Sequence, residues 1–338
     1  MIIVSKQGPK KAEIKAIVDY IKSKGLTAFV SEGTEKTVIG AIGDERVLDK
    51  GHLEIMPGVE RVIPILASYK FASREFKPKN TVINVKGVEI GGNAFTMIAG
   101  PCAVESEEQM MASAKALHEV GVRVLRGSAF KPRTSPYEFQ GLEEEGLQIL
   151  RKAADKYGMV VETEVMDPRD VGLIEEYVDI LRVGARNMQN YDLLKELGTI
   201  KKPVIIKNGL ASTIKEFLMA AEYVLAGGNQ KVILCERGIR TAETETRFTL
   251  DISAIPVLKK LSHLPVIVDP SHSSGKSYLV PPMCKAALAA GADGIIIEVH
   301  PDPAKALCDG PQQLTPPQFA QLWSEMKPIA HAVGRTIQ

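Results

Sequence analysis

No stretch of the chain approaches the roughly 18 consecutive apolar residues that a membrane-spanning helix needs. The start, MIIVSKQGPKK, has no charged segment followed by a long apolar one, so no secretion signal is expected. The four cysteines, Cys102, Cys235, Cys284 and Cys308, form no C-x-x-C pair. That excludes a disulfide framework or a zinc ribbon and fits small buried thiols in a reducing cytoplasm. Charge of one sign is also missing: 42 Lys and Arg stand against 41 Asp and Glu, a net +1. Nothing in that balance points to nucleic acid. What is present is length. At 338 residues the chain exceeds one ordinary domain and suits a barrel of about 250 residues with a small partner.

The first 66 residues have their own rhythm. MIIVS reads as a strand. Ile14, Ile17, Val18 and Ile21 then follow at helical spacing, with Gly25 placed to end the helix. Leu26–Val30 and Thr37–Ile42 read as strands separated by the polar turn SEGTEK. Glu45–Leu53 suits a short helix, and Val59–Leu66 a last strand. The order β-α-β-β-α-β is that of a ferredoxin-like α+β domain over 1–66. A basic, polar linker is expected over 67–80. TVINVKGVEIGGN then reads as a hairpin closing the bottom of the next domain, which runs over 81–338.

From Phe95 a second period begins. FTMIAG, VRVLRG, MVVETEV, DILRVG, PVIIKN, KVILCE, PVIVD and GIIIEV recur between helix-compatible stretches such as EEQMMASAKALHEV. Eight near-continuously apolar strands, buried on both faces, predict a (β/α)8 TIM barrel. No G-x-G-x-x-G follows the first of them, which argues against a dinucleotide-binding sheet.

Barrel active sites form at the C-terminal strand ends, and two groups of residues stand there. The first is cationic: Arg126, Lys131, Arg133, Arg186, Lys207 and Arg237. Any one alone reads as a solvated charge. Six at corresponding positions imply a strongly anionic ligand, either two phosphorylated substrates or one phosphate with a carboxylate. The second group is Cys102, His272, Glu298 and Asp309. Singly, Cys102 reads as a buried thiol and His272 as a loop hydrogen-bonding residue. Together they suit a divalent first-row metal without selecting which one. His300 is a rival ligand, two residues from Glu298 on the same strand face; its blander reading is to support the ligands.

These segments resemble the 3-deoxy-D-arabino-heptulosonate 7-phosphate (DAHP) synthase family, type Iβ branch. The likeness spans Phe95 to the C-terminus. It is carried by GPCAVES (100–106), RGSAFKPRTSPYEFQG (126–141), VGARNMQN around Arg186, IIKNG (205–209), CERGIRT (235–241), DPSHSSGK (269–276) and EVHPDPAKALCDG (298–310). The resemblance implies condensation of phosphoenolpyruvate with D-erythrose 4-phosphate, the first step of the shikimate pathway. It implies a divalent ion (Mn, Fe, Zn, Co or similar) on Cys102, His272, Glu298 and Asp309. Phosphoenolpyruvate would lie on Arg126, Lys131, Arg186, Lys207 and Arg237, and erythrose 4-phosphate on Arg133, Thr134 and Ser135. Lys131 is read as a proton donor or as a purely binding residue, and Glu164 as a candidate for activating water. The sister enzyme, 3-deoxy-D-manno-octulosonate 8-phosphate synthase, typically has K-A-N-R-S where this chain has Lys131-Pro132-Arg133-Thr134-Ser135. It remains the alternative, acting on arabinose 5-phosphate.

The resemblance further implies feedback inhibition by Tyr or Phe through the N-terminal domain, a homo-oligomer with a tetramer favoured, and a cytoplasmic enzyme. An all-helical chorismate mutase module does not fit the mixed pattern of 1–66. A non-catalytic phosphosugar sensor would be expected to have lost a ligand or a cation, and none is lost. A class II aldolase uses mostly histidine ligands; here only His272 and His300 of six histidines stand at strand ends.

Overall fold

The computed structural model describes residues 1–33, 35–64 and 69–338. The chain divides into two compact units, Met1–Lys70 and Phe71–Gln338.

In the first unit, β1 (Ile2–Ser5), α1 (Lys11–Ser23), β2 (Thr27–Glu32), β3 (Thr37–Ile42), α2 (Lys50–Ile55) and β4 (Val59–Ile63) follow in the expected order. The sheet is antiparallel, ordered β2-β3-β1-β4. Alternation along β3 buries Thr37, Ile39 and Ala41, the last two in one cluster with Ile17 and Ile21 of α1, and leaves Val38 and Ile42 exposed. The helix expected over Glu45–Leu53 divides in two. Asp44 caps a 3-10 turn at Glu45–Val47, and Asp49 accepts from His52 N to start α2. The end of the strand expected over Val59–Leu66 falls on Ile65 and Leu66, outside the described residues.

Residues 71–80, read as linker, are tied to the second unit. The Phe71 and Ala72 amides donate to the Glu222 carboxylate, and the Arg74 guanidinium donates to the Lys259 and Ser262 carbonyls. Their polarity satisfies the barrel surface rather than solvating a free tether. A tight hairpin follows, β5 (Ile83–Val85) and β6 (Val88–Ile90), turning at Lys86 and Gly87, both with positive φ. Ile83, Val85, Val88 and Ile90 pack on Ile98, Val124, Val160, Ile180 and Ile205, near the strand starts. The hairpin therefore plugs the bottom of the barrel.

The barrel strands are β7 (Ala94–Gly100), β8 (Val124–Arg126), β9 (Val160–Val165), β10 (Ile180–Val183), β11 (Val204–Lys207), β12 (Val232–Glu236), β13 (Val266–Val268) and β14 (Gly294–Glu298). Each pairs in parallel with the next, and β14 closes on β7. Between and after them run α3 (Glu107–Val120), α4 (Glu143–Lys156), α5 (Val171–Tyr177), α6 (Tyr191–Thr199), α7 (Ile214–Ala226), α8 (Ala254–Leu261), α9 (Pro270–Ser274), α10 (Val280–Ala289) and α11 (Pro316–Ala332). Their starts are written in the sequence: Thr213/Glu216 and Thr315/Gln318 are capping boxes. A short strand, β15 (Thr336–Ile337), adds to β7 beside Ala94 and Phe95. No helix among the described residues is long and apolar enough to cross a membrane.

Candidate active site

The strand ends converge as parallel pairing requires. Gly100 ends β7 so close to β8 that a Cβ there would meet the Arg126 carbonyl oxygen at 2.0 Å; only glycine fits. That approach sets Cys102 beside the mouth of β8. Glu298 is the last residue of β14. His272 lies on α9, whose first turn is held by Asp269 Oδ1 accepting from His272 N at 2.9 Å. Asp309 adopts φ 51°, a left-handed conformation uncommon outside glycine, and this turns it into the site.

Donor atoms of Cys102, His272, Glu298 and Asp309 all lie within 4.8 Å of one another. His272 Nε2 is 3.4 Å from Glu298 Oε1 and 3.8 Å from Asp309 Oδ2. Cys102 Sγ is 3.5 Å from Asp309 Oδ2. Atoms bound at about 2.0–2.3 Å to one tetrahedral ion stand roughly 3.3–3.8 Å apart, so the set fits a divalent metal. Burial pushes His272 below its ordinary pKa, against the pull of Asp269 and Glu298; a neutral imidazole is the ligating form. Its Nδ1 stands 2.8 Å from Asp269 Oδ2, which fixes the ring's orientation. Burial would raise Glu298 and Asp309, but His272 with Arg126 holds the first low, and His272 with Arg247 holds the second at about 2. His300 stays out of the group. Its Nε2 is 3.2 Å from Glu105 Oε2, and its Nδ1 accepts from Asp302 N.

Beside these donors opens a cavity of about 260 Å³. Lys131, Arg133, Thr134, Arg186, Lys207 and Arg237 line it. Lys131 Nζ donates to Cys102 O at 3.1 Å and to Cys102 Sγ at 3.0 Å. Lys207 is ion-paired with Asp269. Burial lowers Lys207, and lowers Arg237 to about 10. The Arg237 guanidinium stacks 4.1 Å from the Phe248 ring centroid, and its Nη1 has no protein partner. Two of the residues expected to bind substrate do not line the cavity. Arg126 is fully buried below it, 3.2 Å from Glu298 Oε1. Ser135 turns its hydroxyl to accept from Tyr137 N.

Residues 76–332 match the DAHP synthetase I family, and residues 1–67 match the DAHP synthase ferredoxin-like domain. The chain belongs to the DAHP synthetase I family. It is 53% identical over 334 residues, 99% of each chain, to the phospho-2-dehydro-3-deoxyheptonate aldolase of Thermotoga maritima. The crystal structure of that DAHP synthase superposes with a TM-score of 0.95 at 52% identity, covering 100% of this chain and 99% of the other. The 2-dehydro-3-deoxyphosphooctonate aldolase of Syntrophobacter fumaroxidans is 33% identical over 270 residues, 75% of this chain and 93% of its own.

The site also contains residues that strand-end reading did not reach. Arg182 sits inside β10, bonded to Glu162 at 2.6 Å and Glu164 at 2.8 Å. Its signal was a charge in the middle of an apolar strand. Cys308 Sγ lies 3.0 Å from Cys102 Sγ and accepts from Arg133 Nη1, though alone it reads as a buried thiol. Arg247 and Phe248 reach the cavity from the loop after β12, which carries no periodic signal. The surroundings also set the charge of two of the expected residues. Burial disfavours the Lys131 ammonium, but the thiols and the carboxylates of Glu164 and Glu298 outweigh it and raise its pKa; the neighbouring cations do not lower it. Glu164, despite burial, is held low by Arg182, Lys131 and Lys207, which makes it a weak base.

Glu236 shapes the loop that carries Arg237. Its Oε1 accepts from Gly238 N, while its Oε2 has no protein partner. Burial raises its pKa from 4.5 to about 8. An unfolded chain ionises this group above about pH 4.5, whereas the folded one keeps its proton to about 8, so stability falls as pH rises through that window. Glu236→Gln removes this loss. The substitution should gain stability at pH 8 relative to pH 5, by roughly 2–5 kcal/mol. Melting curves at the two pH values check it; an equal shift at both would show that Glu236 is not held neutral.

Proposed function

We propose that this chain condenses phosphoenolpyruvate with D-erythrose 4-phosphate and water, giving DAHP and inorganic phosphate. One observation carries the reading: a four-donor metal set opens directly onto a cavity walled by five of the six expected cations. Cys102, His272, Glu298 and Asp309 would hold a divalent ion, which supplies Lewis-acid polarisation of an aldehyde oxygen when bound. Lys207, Arg186 and Arg237 bind the phosphate and carboxylate of phosphoenolpyruvate, with Arg126 adding charge from beneath. Arg133 and Thr134 take the phosphate of the aldose; Ser135 shapes their loop. C3 of phosphoenolpyruvate attacks the aldehyde carbon, water adds at C2, and the C2–O bond to phosphate breaks. Lys131 Nζ holds a proton beside this centre and delivers it to the developing alkoxide. Its raised pKa keeps it a donor throughout the neutral range.

The relatives named as octulosonate enzymes share the barrel at about a third identity, so the aldose is the discriminating variable. Phosphate release should be seen with phosphoenolpyruvate and erythrose 4-phosphate, and not with arabinose 5-phosphate or ribose 5-phosphate. EDTA should stop it and added divalent metal restore it. Preference for arabinose 5-phosphate would move the chain to the sister activity, and no turnover with any aldose would favour a sensor barrel.

For the ferredoxin-like unit we propose feedback inhibition by Tyr or Phe. The support is its match to the DAHP synthase ferredoxin-like domain, together with an open sheet face on which Phe29 and Ile42 are 64% and 60% exposed. Adding either amino acid to the assay tests it. We further favour a homotetramer in the cytoplasm. The four cysteines are all free and buried, as suits a reducing compartment.

A further inference from the structure

Two adjacent glutamines lie behind the metal donors, each bonded at both ends of its side-chain amide. Gln312 and Gln313 are 3% and 2% exposed. Gln313 joins backbone to backbone: its Oε1 accepts from Cys102 N at 3.2 Å, and its Nε2 donates to Cys308 O at 2.8 Å. Gln312 does something different. Its Nε2 donates to Glu298 Oε2 at 2.6 Å, and its Oε1 accepts from Arg247 Nη1 at 2.9 Å.

The partners dictate the residue type. An ionised carboxylate only accepts and a guanidinium only donates. A bridge between them needs a donor at one end and an acceptor at the other, and a side-chain amide supplies both. Glutamate would face Glu298 with a second negative charge, and leucine would leave Glu298 Oε2 buried without its donor. With Oε2 engaged by Gln312, Oε1 is the oxygen that faces His272 Nε2 at 3.4 Å, beside Arg126 Nη2 at 3.2 Å. Arg247 also stands 3.4 Å from Asp309 Oδ2. One guanidinium on the cavity wall thus restrains two of the four donors, Asp309 directly and Glu298 through an amide.

We propose that Gln312 is a positioning residue that decides which oxygen of Glu298 the metal receives, and that it relays Arg247 to that carboxylate. The inference rests on the metal-site reading above. It assigns to Gln312 and Arg247 a part in metal affinity, separate from any contact with substrate.

The test is a titration of metal-free full-length protein with Co(II) against a competing chelator, following thiolate-to-metal absorption. Gln312→Leu should weaken binding about 10–100-fold, as loss of an outer partner commonly does, with the metal-free protein still folded and its melting temperature lowered by roughly 2–10 °C because Glu298 Oε2 loses its donor. Gln312→Met, of similar length and volume, stands in if the leucine variant does not fold. Arg247→Met should weaken binding by a smaller factor, and that factor should shrink once Gln312 is already replaced. Affinity within twofold of the original in a folded Gln312 variant overturns the proposal and leaves the metal site standing. An Arg247→Met effect of equal size in both backgrounds overturns the relay. If the unmodified protein gives no thiolate absorption and binds Co(II) no better than Cys102→Ser, the metal-site reading itself falls.

Discussion

Replacing His272 with alanine should remove both metal retention and turnover, with the barrel still folded. His272 contributes the nitrogen of the donor set and is the neighbour of both carboxylates. Without it the ion loses one of its four ligands, and the thiol of Cys102 has one fewer reason to give up its proton to a metal. A bound ion's stabilisation of developing charge amounts to several kcal/mol, so a loss of roughly a thousandfold or more in kcat is expected. The informative comparison is His300→Ala. His300 is engaged by Glu105 and Asp302 N, so that variant should bind metal normally. Metal content by mass spectrometry, measured beside phosphate release, separates the two histidines. Retention of metal by His272→Ala, or its loss from His300→Ala, would reassign the ligand.

The largest loss of stability is expected at Arg182. Its guanidinium is 1% exposed and bonds Glu162, Glu164 and Ser128 Oγ inside the barrel. Arg182→Met keeps much of the volume and leaves two carboxylates facing each other with no cation between them. Breaking a buried pair from one side costs about 3–5 kcal/mol, which at roughly 2–4 °C per kcal/mol for a domain of this size is a drop of about 6–20 °C. Arg182→Lys should recover only part of this, because an ammonium cannot serve two carboxylates and a hydroxyl with a planar fork. The pH dependence should change as well. With Arg182 present, Glu164 is held below its ordinary pKa. It therefore stabilises the fold above its unfolded pKa, and this is lost as pH falls through the folded value. Without Arg182, Lys131 and Lys207 still face Glu164, so its pKa should rise and the stability gained on going from pH 5 to pH 8 should shrink. Thermal melts of the parent and Arg182→Met at pH 5 and pH 8 decide it; an unchanged difference between the two pH values would show that Arg182 does not control the charge on Glu164.

The reach of strand-end reasoning follows from parallel geometry. Residues that directly end an apolar run, Lys207 after Ile206 and Glu298 after Ile297, point into the site because parallel strands finish at one rim. Arg133 and Thr134 were reachable because the KPRTSP segment carrying them follows closely on the end of β8, although the whole loop to α4 is long. Arg126 also ends a strand, yet its guanidinium is fully buried against Glu298 Oε1 at 3.2 Å and does not line the cavity. Arg247 was not reachable. It arrives from a long irregular loop, and its approach to Asp309 exists only after that loop folds back over β14.

Apolar periodicity alone determined that this protein has a mixed N-terminal domain and an eight-unit barrel, because burial on two faces and alternation on one are written residue by residue. It also placed four donor types and six cations at one rim. What only the tertiary structure decided is how those groups are divided between work and support. Arg182 is spent on Glu162 and Glu164, Lys207 leans on Asp269, and one amide of Gln312 joins Arg247 to Glu298. These pairings join residues up to 65 positions apart in the chain. Each is chosen by distance and desolvation within a closed barrel, and neither quantity exists until the last strand meets the first.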